Sequence, residues 1–191
     1  MITNQIIESI EVKNKLLSNN EYIDLISKVA NLCTEVYKNN KKTILAGNGG
    51  SAADSQHIAG EFVSRFYFDR PGIPSLALTT DTSILTAISN DYGYEKVFSR
   101  QIEAFGNEGD LFLAISTSGN SKNLINALKI AKEKKLICVG LTGESGGEMA
   151  QYCDYCIKVP SQITPRIQEA HILIGHIICS IVENNLFADK L

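Results

Sequence analysis

The segment TILAGNGGSAADSQHIAGEF, residues 43–62, contains the pattern that decides the fold. It begins with the apolar run Thr43–Gly47, passes through a glycine-rich turn, and continues with helical spacing, which predicts a helix over Ala52–Phe66. A short and continuous apolar run suits a strand that is buried on both faces, as in a parallel sheet. A buried strand, a tight turn and a helix together form the repeating unit of an open α/β sheet.

The same order of elements recurs along the chain. Four more apolar runs predict strands at Ser75–Thr79, Leu111–Ser116, Leu136–Thr142 and Tyr155–Pro160. Further helices are predicted at Ser83–Ser89, Lys122–Lys134, near Glu148, and at Pro165–Phe187. We therefore expect one α/β domain with a five-stranded parallel open sheet flanked by helices. Ligands of such folds bind beyond the carboxyl ends of the strands, which places the loops that start at Gly47, Thr79, Ser116 and Thr142 at the site.

The first forty residues predict a helical hairpin, with Asn20 as the N-cap of its second helix. We assign residues 1–40 to this hairpin and residues 41–191 to the main part of the same domain. The apolar stripes of the hairpin contain more apolar residues than a solvent-exposed appendage would carry. They should therefore pack on the main part or on a second copy of the chain. The stripes comprise Ile6, Ile7, Ile10 and Leu17, and then Tyr22, Ile26, Val29, Cys33 and Val36.

Composition excludes several classes of protein. The chain has 191 residues, 44% of them hydrophobic and 20% charged, and a net charge of −3, which is typical of a globular domain and not of a disordered chain. A nucleic-acid partner would require a dense basic face, and the sequence contains none. The apolar runs are far shorter than the roughly 20 residues that span a bilayer, and the N-terminus does not resemble a signal peptide. We expect a cytoplasmic protein without a membrane partner.

The five cysteines fit a reducing compartment. Cys153-x-x-Cys156 overlaps the last predicted strand, in which residues i and i+3 face opposite ways, so we interpret the motif as chance. The other cysteines have apolar neighbours and are interpreted as core residues: Cys33, Cys138 and Cys179.

Two strand-to-helix turns have the composition of anion-binding loops. In Gly47–Ser51 the glycines allow close backbone approach, and the following helix offers unpaired N–H groups. The turn Ser116–Ser121 carries hydroxyls that can donate to phosphate oxygens. Both could also be ordinary tight turns with serine N-caps. Neither matches a dinucleotide fingerprint or a P-loop, so we expect no nucleotide cofactor.

Two predicted helices carry groups suited to acid–base chemistry. His57, Glu61 and Arg65 are spaced i, i+4 and i+8 and should share one helix face, although a solvated polar stripe would have the same spacing. The last helix places His176 among apolar residues, which predicts burial and is also typical of a core histidine. Gln168, Glu169 and His171 precede it on the same helix.

Four segments resemble the sugar isomerase (SIS) family, and within it the phosphoheptose isomerases. They are AGNGGSAADSQHIAGEF (46–62), SNDYGYEKVFSRQ (89–101), AISTSGNSKN (114–123) and RIQEAHILIGH (166–176). The resemblance extends over essentially the whole chain. It implies an isomerase that converts D-sedoheptulose 7-phosphate to D-glycero-D-manno-heptose 7-phosphate, the first step toward heptose units of lipopolysaccharide core or capsule.

The resemblance also implies roles for individual residues. Aldose–ketose isomerisation moves a proton between adjacent carbons through an enediolate, which requires a base and a second proton-transfer group. The family motif places Glu61 as the base and His176 as the acid or ring-opening group. Phosphate-binding hydroxyls fall on Ser116, Thr117, Ser118 and Ser121, with Ser51 nearby, and sugar contacts on Asn48, Gly49, Gly50, Arg65, Asn90, Asp91 and Gln168.

A metal and an assembly are implied in the same way. Members of the subgroup hold zinc through residues that correspond to His57, Glu61, Gln168 and His176, a reasonable ligand set apart from the atypical glutamine. The family forms homotetramers with sites at subunit boundaries. One departure is Pro165, where some relatives carry an acidic residue that contacts the sugar, so the hydroxyl preference is open.

Two other functions remain open at the level of sequence. The SIS fold includes a partner-binding protein that associates with a replication initiator, and a pure binding protein has no need of His57, Glu61, Gln168 and His176 together. An isomerase of another sugar phosphate is the second alternative, because loops that anchor a phosphate do not determine the number of carbons in the sugar.

Overall fold

The computed structural model describes residues 1–188, so the last three residues of the predicted main part lie outside the described residues. The sheet has five parallel strands in the order β2-β1-β3-β4-β5, which confirms the predicted α/β class. The strands are β1 Thr43–Gly47, β2 Ser75–Ala77, β3 Leu111–Ser116, β4 Ile137–Thr142 and β5 Tyr155–Lys158. β2 and β5 each end two residues before the predicted limit.

Seven α-helices and two short 3-10 helices cover most of the remaining described chain. The α-helices are α1 Ile2–Leu17, α2 Asn20–Lys38, α3 Gly50–Val63, α4 Thr82–Tyr92, α5 Val97–Phe105, α6 Lys122–Glu133 and α7 Thr164–Phe187. The 3-10 helices are Tyr94–Lys96 and Glu148–Tyr152, and the second fits the short helix predicted near Glu148.

The helices form one layer on each face of the sheet. In β1, Leu45 faces a core shared with α2, α3 and α7, whereas Ile44 and Ala46 face a core shared with α5 and α6. Side chains of successive strand residues point to opposite faces, so a strand between two helix layers needs apolar residues at every position. All five residues of β1 and all six of β3 are buried, as the continuous apolar runs predict.

Three helix predictions need correction. α3 begins at Gly50 and ends at Val63, not at Ala52 and Phe66. α4 extends to Tyr92, beyond the predicted end at Ser89. The sequence analysis missed α5 altogether, although its buried Val97, Phe98 and Ile102 give it an apolar face.

The predicted N-terminal hairpin is present, and the division of the chain after residue 40 stays a prediction. The N-cap of α2 is Asn19 and not Asn20, because the Asn19 side chain accepts a hydrogen bond from the Glu21 N–H at 2.9 Å. Most of the α2 stripe is buried, but the α1 stripe is not covered within one chain. Its exposed residues are Ile6, Ile7, Ile10 and Leu17.

Among residues 1–188, α7 alone is long and apolar enough to cross a membrane. The helix packs against α2 and α3, and its buried residues include Ala170, Ile174 and Ile178. A helix of this kind at the centre of a globular core meets the same length and composition criteria as a membrane span. We interpret α7 as a core helix.

Candidate active site

The order in which strands are added to the sheet reverses between β1 and β3. The chain passes from β1 to β2 on one side, while β3, β4 and β5 extend on the other. Crevices at such a switch point, beyond the carboxyl ends of the strands, are where open α/β sheets bind ligands. The loops after β1 and β3 flank this crevice, so the structure brings the two predicted anion loops together.

The first loop depends on glycine at two positions. Gly49 caps α3 with a φ of +58°, a conformation that side chains disfavour. At Gly50 a Cβ atom would lie 2.5 Å from Nε2 of Gln168. This close approach places Gln168 of α7 against the loop, and its contact with a sugar stays a prediction. Ser51, the next residue, is buried.

Asn48 connects the two loops. Its side chain and that of Asn123 on α6 exchange a reciprocal pair of amide hydrogen bonds, at 3.0 and 2.9 Å. The Tyr94 hydroxyl also donates to Asn48 Oδ1 at 3.0 Å. The predicted sugar-contact residue Asn48 therefore also has a structural role. Asn123 and Tyr94 were missed as site residues, although both lie in segments that carry the family resemblance.

The second loop, Ser116–Ser121, is closed by its own hydroxyls and is called the serine loop below. Ser116 Oγ lies 3.1 Å from Ser121 Oγ and 3.5 Å from Ser118 Oγ, and it accepts the Gly119 N–H at 3.1 Å. The loop leads into the N-terminus of α6, where the unpaired N–H groups and the helix dipole favour an anion. Of the four predicted phosphate-binding residues, these three have hydroxyls that converge.

The 3-10 helix Glu148–Tyr152 supports the serine loop from behind. The Met149 N–H donates to the Gly119 carbonyl at 2.8 Å, and the Glu148 N–H donates to Asn120 Oδ1 at 2.9 Å. A Cβ atom on Gly119 would lie 2.1 Å from the carbonyl oxygen of Gly146. The two backbones meet closely, so a shift of the 3-10 helix would be transmitted to the loop.

A polar cavity of about 460 Å³ opens beside the serine loop. That volume is in the range of sites for small metabolites. Its walls come from the serine loop, the loop after β4 and the start of α7. The lining residues are Thr117, Ser118, Asn120, Gly143, Glu144, Ser145, Ser161, Gln162, Thr164 and Ile167.

Three of the four predicted metal ligands meet at one point. His57 Nε2 lies 3.1 Å from Glu61 Oε1 and 3.0 Å from His176 Nε2, and one ligand atom from each residue falls within 4.8 Å of the others. Zinc–nitrogen bonds of about 2.0–2.1 Å in a tetrahedron would hold two ligands about 3.3 Å apart. Two imidazoles and a carboxylate at these separations fit Zn²⁺. We call His57, Glu61 and His176 the trio.

The trio is more open than the sequence predicts. His176 is half-buried and not enclosed, and the side chains of His57 and Glu61 are 49% and 26% exposed. The trio therefore forms a partly exposed polar cluster at the position of His176 on the mostly apolar helix α7.

Other predicted site residues lie just after α3, near the end of α4 and in the first turns of α7. Arg65 follows the end of α3 and is exposed, so it does not continue the face of His57 and Glu61, and the i+8 argument is wrong. Asn90 donates to Asp91 Oδ1 at 2.8 Å on the exposed end of α4. Gln168 lies two turns before His176 on α7, against Gly50.

A buried ion pair fixes the segment after Glu61, and the sequence analysis missed it. Glu183 of α7 accepts the Phe66 and Tyr67 N–H groups at 2.7 and 2.6 Å and pairs with Arg70 Nε at 2.9 Å. The Arg70 and Glu183 side chains are 2% and 1% exposed. Arg70 also donates to the Glu61 carbonyl at 2.8 Å. The pair thus fastens the end of α3 to α7.

His171 is fully buried, and its Nε2 lies 3.1 Å from the Thr142 carbonyl at the end of β4. Nδ1 has no hydrogen-bond partner. Burial lowers the pKa of His171 to about 4, because a charged imidazolium would lack solvation. Neutral His171 therefore donates from Nε2 and ties α7 to the sheet, a structural role consistent with the absence of any role implied by the family.

The fold and site together define an α/β protein with two loops of anion-binding composition beyond a parallel sheet, and with a carboxylate and two imidazoles brought together by α3 and α7. The family model described as SIS domain matches residues 10–143. A phosphoheptose isomerase of Aneurinibacillus thermoaerophilus is 67% identical over 189 residues, which cover 99% of this chain and 96% of that protein. The chain belongs to the SIS domain family and, within it, to the phosphoheptose isomerases.

Solved structures agree with this assignment. A phosphoheptose isomerase from Neisseria gonorrhoeae has a TM-score of 0.90 and 40% identity, over 96% of this chain and 97% of that one. A second, from Francisella tularensis, has a TM-score of 0.92 and 33% identity, over 96% of both chains. The likeness therefore extends through the N-terminal hairpin.

Proposed function

We propose that this protein converts D-sedoheptulose 7-phosphate to D-glycero-D-manno-heptose 7-phosphate. The observation that carries the proposal is the pairing of the Glu61 carboxylate with two imidazoles, with His57 and Glu61 on the helix that begins in the first anion loop. The names of the relatives point to the same activity. The product is a precursor for the heptose of lipopolysaccharide core or of capsule.

In the proposed reaction, Glu61 and His176 have different tasks. Glu61, as general base, takes the proton from carbon 1 of the open-chain ketose and returns it to carbon 2 of the enediolate. His176 moves the hydroxyl proton between the two oxygens or assists ring opening. Each positioned proton-transfer group typically increases the reaction rate by a factor of about 10² to 10⁴.

The serine loop anchors the phosphate in this proposal. Ser116, Ser118 and Ser121 already converge, and hydroxyl donors together with the α6 N-terminus suit a phosphate dianion. The phosphate of this substrate is on carbon 7 and the reacting atoms are carbons 1 and 2, so the intervening carbon chain would let the anchor lie apart from the trio. The sugar hydroxyls would contact Asn48, Gly49, Gly50, Asn90, Asp91 and Gln168, with Ser51 and Thr117 at the phosphate and Arg65 at the rim.

We further propose that the trio, with Gln168, holds Zn²⁺. A bound zinc ion would polarise the carbonyl and hydroxyl oxygens of the substrate. Metal analysis of the purified protein should give one zinc per chain, and His57→Ala should remove it. Equal zinc in the wild type and the variant would refute this ligand set independently of any activity assay.

The exposed α1 stripe supports self-association into a homotetramer. Ile2, Ile6 and Ile10 line a groove of about 420 Å³ between α1 and α7, and apolar surface of this kind is typical of subunit contacts. Light scattering should therefore give a mass about four times that of the 20.9 kDa chain. We also propose that the enzyme acts in the cytoplasm without a nucleic-acid or membrane partner; the net charge of −3 disfavours binding to nucleic acid.

The activity is tested by incubating the protein with sedoheptulose 7-phosphate in D₂O and recording NMR spectra with and without added zinc. We expect new heptose anomeric signals. If no signals form under either condition, the substrate assignment is wrong. A panel of other sugar phosphates then tests for an isomerase of different specificity, and binding to a replication initiator without turnover of any sugar phosphate would indicate the partner-binding function.

A further inference from the structure

Cys153 and Cys156 lie together, although the sequence analysis interpreted their spacing as chance. Cys153 does not belong to β5: it follows the 3-10 helix, while Cys156 lies within the strand. The argument that i and i+3 face opposite ways therefore does not apply. A Cβ atom on Gly140 of β4 would lie 2.8 Å from the Cys153 sulfur and 3.3 Å from the Cys156 sulfur. The absence of a side chain at Gly140 makes room for both thiols.

The two thiols differ in reactivity. The pKa of Cys156 is lowered to about 7 chiefly because the Cys153 thiol donates a hydrogen bond to it, with help from the Thr142 hydroxyl and the charge of Lys158, although burial opposes the shift. The Cys156 sulfur lies 3.6 Å from Thr142 Oγ1. Both cysteines of the pair are half-buried, so a small oxidant can reach them.

The remaining cysteines are unreactive by comparison. Cys33, Cys138 and Cys179 are buried. Burial raises the pKa of Cys33 and of Cys138 to about 12. The thiolate is the nucleophile in disulfide exchange, so oxidation should begin at Cys156.

We propose that Cys153 and Cys156 form a reversible disulfide that loosens the 3-10 helix behind the serine loop. The co-reactant is a low-molecular-weight disulfide. The Cys156 thiolate attacks one of its sulfurs, which forms a mixed disulfide and releases one thiolate. Cys153 then loses its proton and attacks the Cys156 sulfur, releasing the second thiolate. Two electrons pass from the protein thiols to the small disulfide, which leaves as two thiols.

The link to the serine loop is a short chain of hydrogen bonds. While Cys156 is protonated, the single S–H of Cys153 donates to the Met149 carbonyl at 3.4 Å, and it turns to the Cys156 sulfur when that sulfur becomes a thiolate. The N–H of Met149 in turn donates to the Gly119 carbonyl at 2.8 Å. Disulfide formation removes the S–H donor and draws Cys153 toward Cys156. The 3-10 helix then loses one of its anchors, and the bond to the serine loop weakens.

The first test uses the full chain with glutathione disulfide as the probe, followed by acid quenching, thiol alkylation and mass spectrometry. The wild type should lose two alkylatable thiols without retaining glutathione. Cleavage after Lys135, before Asp154 and after Lys158 separates Cys153 from Cys156. We expect the two fragments to stay joined until a reductant is added. Fragments that separate without reductant would overturn the proposal.

Variants assign the order of attack. Cys153→Ser should accumulate a glutathione adduct on Cys156, because no second thiol resolves it, whereas Cys156→Ser should stay unmodified at Cys153. Cys138→Ala, a matched control on the neighbouring part of β4, should form the disulfide as the wild type does. Loss of the disulfide in this control would show that Cys138 is the true partner and would overturn the assignment.

The second test measures the effect on the 3-10 helix by amide hydrogen exchange of the reduced and oxidised protein. Exchange at Met149 should be several-fold faster after oxidation and should return to its original rate with reductant, while α2 serves as an internal control. Unchanged exchange at residues 148–152 would refute the coupling to the serine loop. Neither readout depends on sugar turnover, so failure of this proposal and failure of the proposed function are distinguishable.

Discussion

The serine loop and the trio are two halves of the site that we propose, and they are built in different ways. The serine loop is closed by hydrogen bonds within residues 116–121, and Ser116 is only 5% exposed. The trio joins residues of two helices, and the His57 side chain is 49% exposed. The serine loop is thus held in shape by hydrogen bonds within one chain. The half that carries the chemistry is open, where a metal ion or a neighbouring subunit would complete it.

The contrast suggests that the serine loop binds the substrate and that the trio carries out the reaction. Local hydrogen bonds can preorganise an anchor from a few consecutive residues, whereas a base and an acid at the right distance require distant parts of the chain to meet. Substitutions in the serine loop should therefore change substrate affinity, and substitutions in the trio should change turnover. The predictions that follow test this division, beginning with the largest expected effect.

Glu61→Gln should lower kcat at least about a hundredfold, because the amide cannot act as a general base. Steady-state kinetics with sedoheptulose 7-phosphate measures the loss, and Glu35→Gln on the exposed face of α2 is the matched control. Near wild-type turnover in a folded Glu61→Gln protein would show that another group is the base.

Glu183→Gln should lower the free energy of unfolding by about 3 kcal/mol or more, because it leaves the buried Arg70 guanidinium without its counter-charge. Urea unfolding measures this loss. The same substitution at Glu35, whose ion pair with Lys38 is exposed, should cost no more than about 1 kcal/mol. Equal stability of both variants would show that the buried pair does not fasten the end of α3.

Ser121→Ala should raise KM roughly tenfold and leave kcat nearly unchanged, since a hydrogen bond to a charged group is worth about 1.5–3 kcal/mol. Ser27→Ala, at an exposed position on α2, is the control and should match the wild type. A fall in kcat with unchanged KM would contradict the division between the two halves of the site.

The smallest expected effect concerns pH. The pKa of His171 is about 4 in the folded protein and about 6.5 when unfolded, so the unfolded chain binds more protons between these values. His171 therefore contributes stability that is complete above about pH 6.5 and is lost as the pH falls toward 4, with a slope of at most about 1.4 kcal/mol per pH unit. Urea unfolding between pH 7 and 5 should show a shallower slope for His171→Gln. An identical slope would exclude His171 as the cause.

The structural features that can be predicted from the sequence are those determined by residues close together along the chain. The run Thr43–Gly47 and the turn after it indicate a buried strand and an anion loop, because apolar period and glycine content are local properties. The spacing of His57 and Glu61 likewise places both on one helix face. Arg65 shows the limit of that argument, since α3 ends at Val63 and spacing alone does not reveal where a helix stops.

Contacts between distant residues could not be predicted from periodicity. Glu183 lies in an apolar segment with nothing in its surroundings to indicate Arg70, and the Asn48–Asn123 amide pair has no local signature. The inclusion of His176 with His57 and Glu61 came only from the resemblance to a family. α5 is a different case, because the helical spacing of Val97, Phe98 and Ile102 is a local signal from which the helix can be predicted.

The trio and the buried ion pair also determine when this enzyme can first become active during synthesis. His57 and His176 are 119 positions apart, and Arg70 and Glu183 are 113 apart. Chains emerge from the ribosome N-terminus first, so the sheet can form before α7 is available to complete the site. A nascent or truncated chain that ends before α7 would thus possess the serine loop, His57 and Glu61 but not His176, and proteolysis that removes His176 would be sufficient to silence the enzyme.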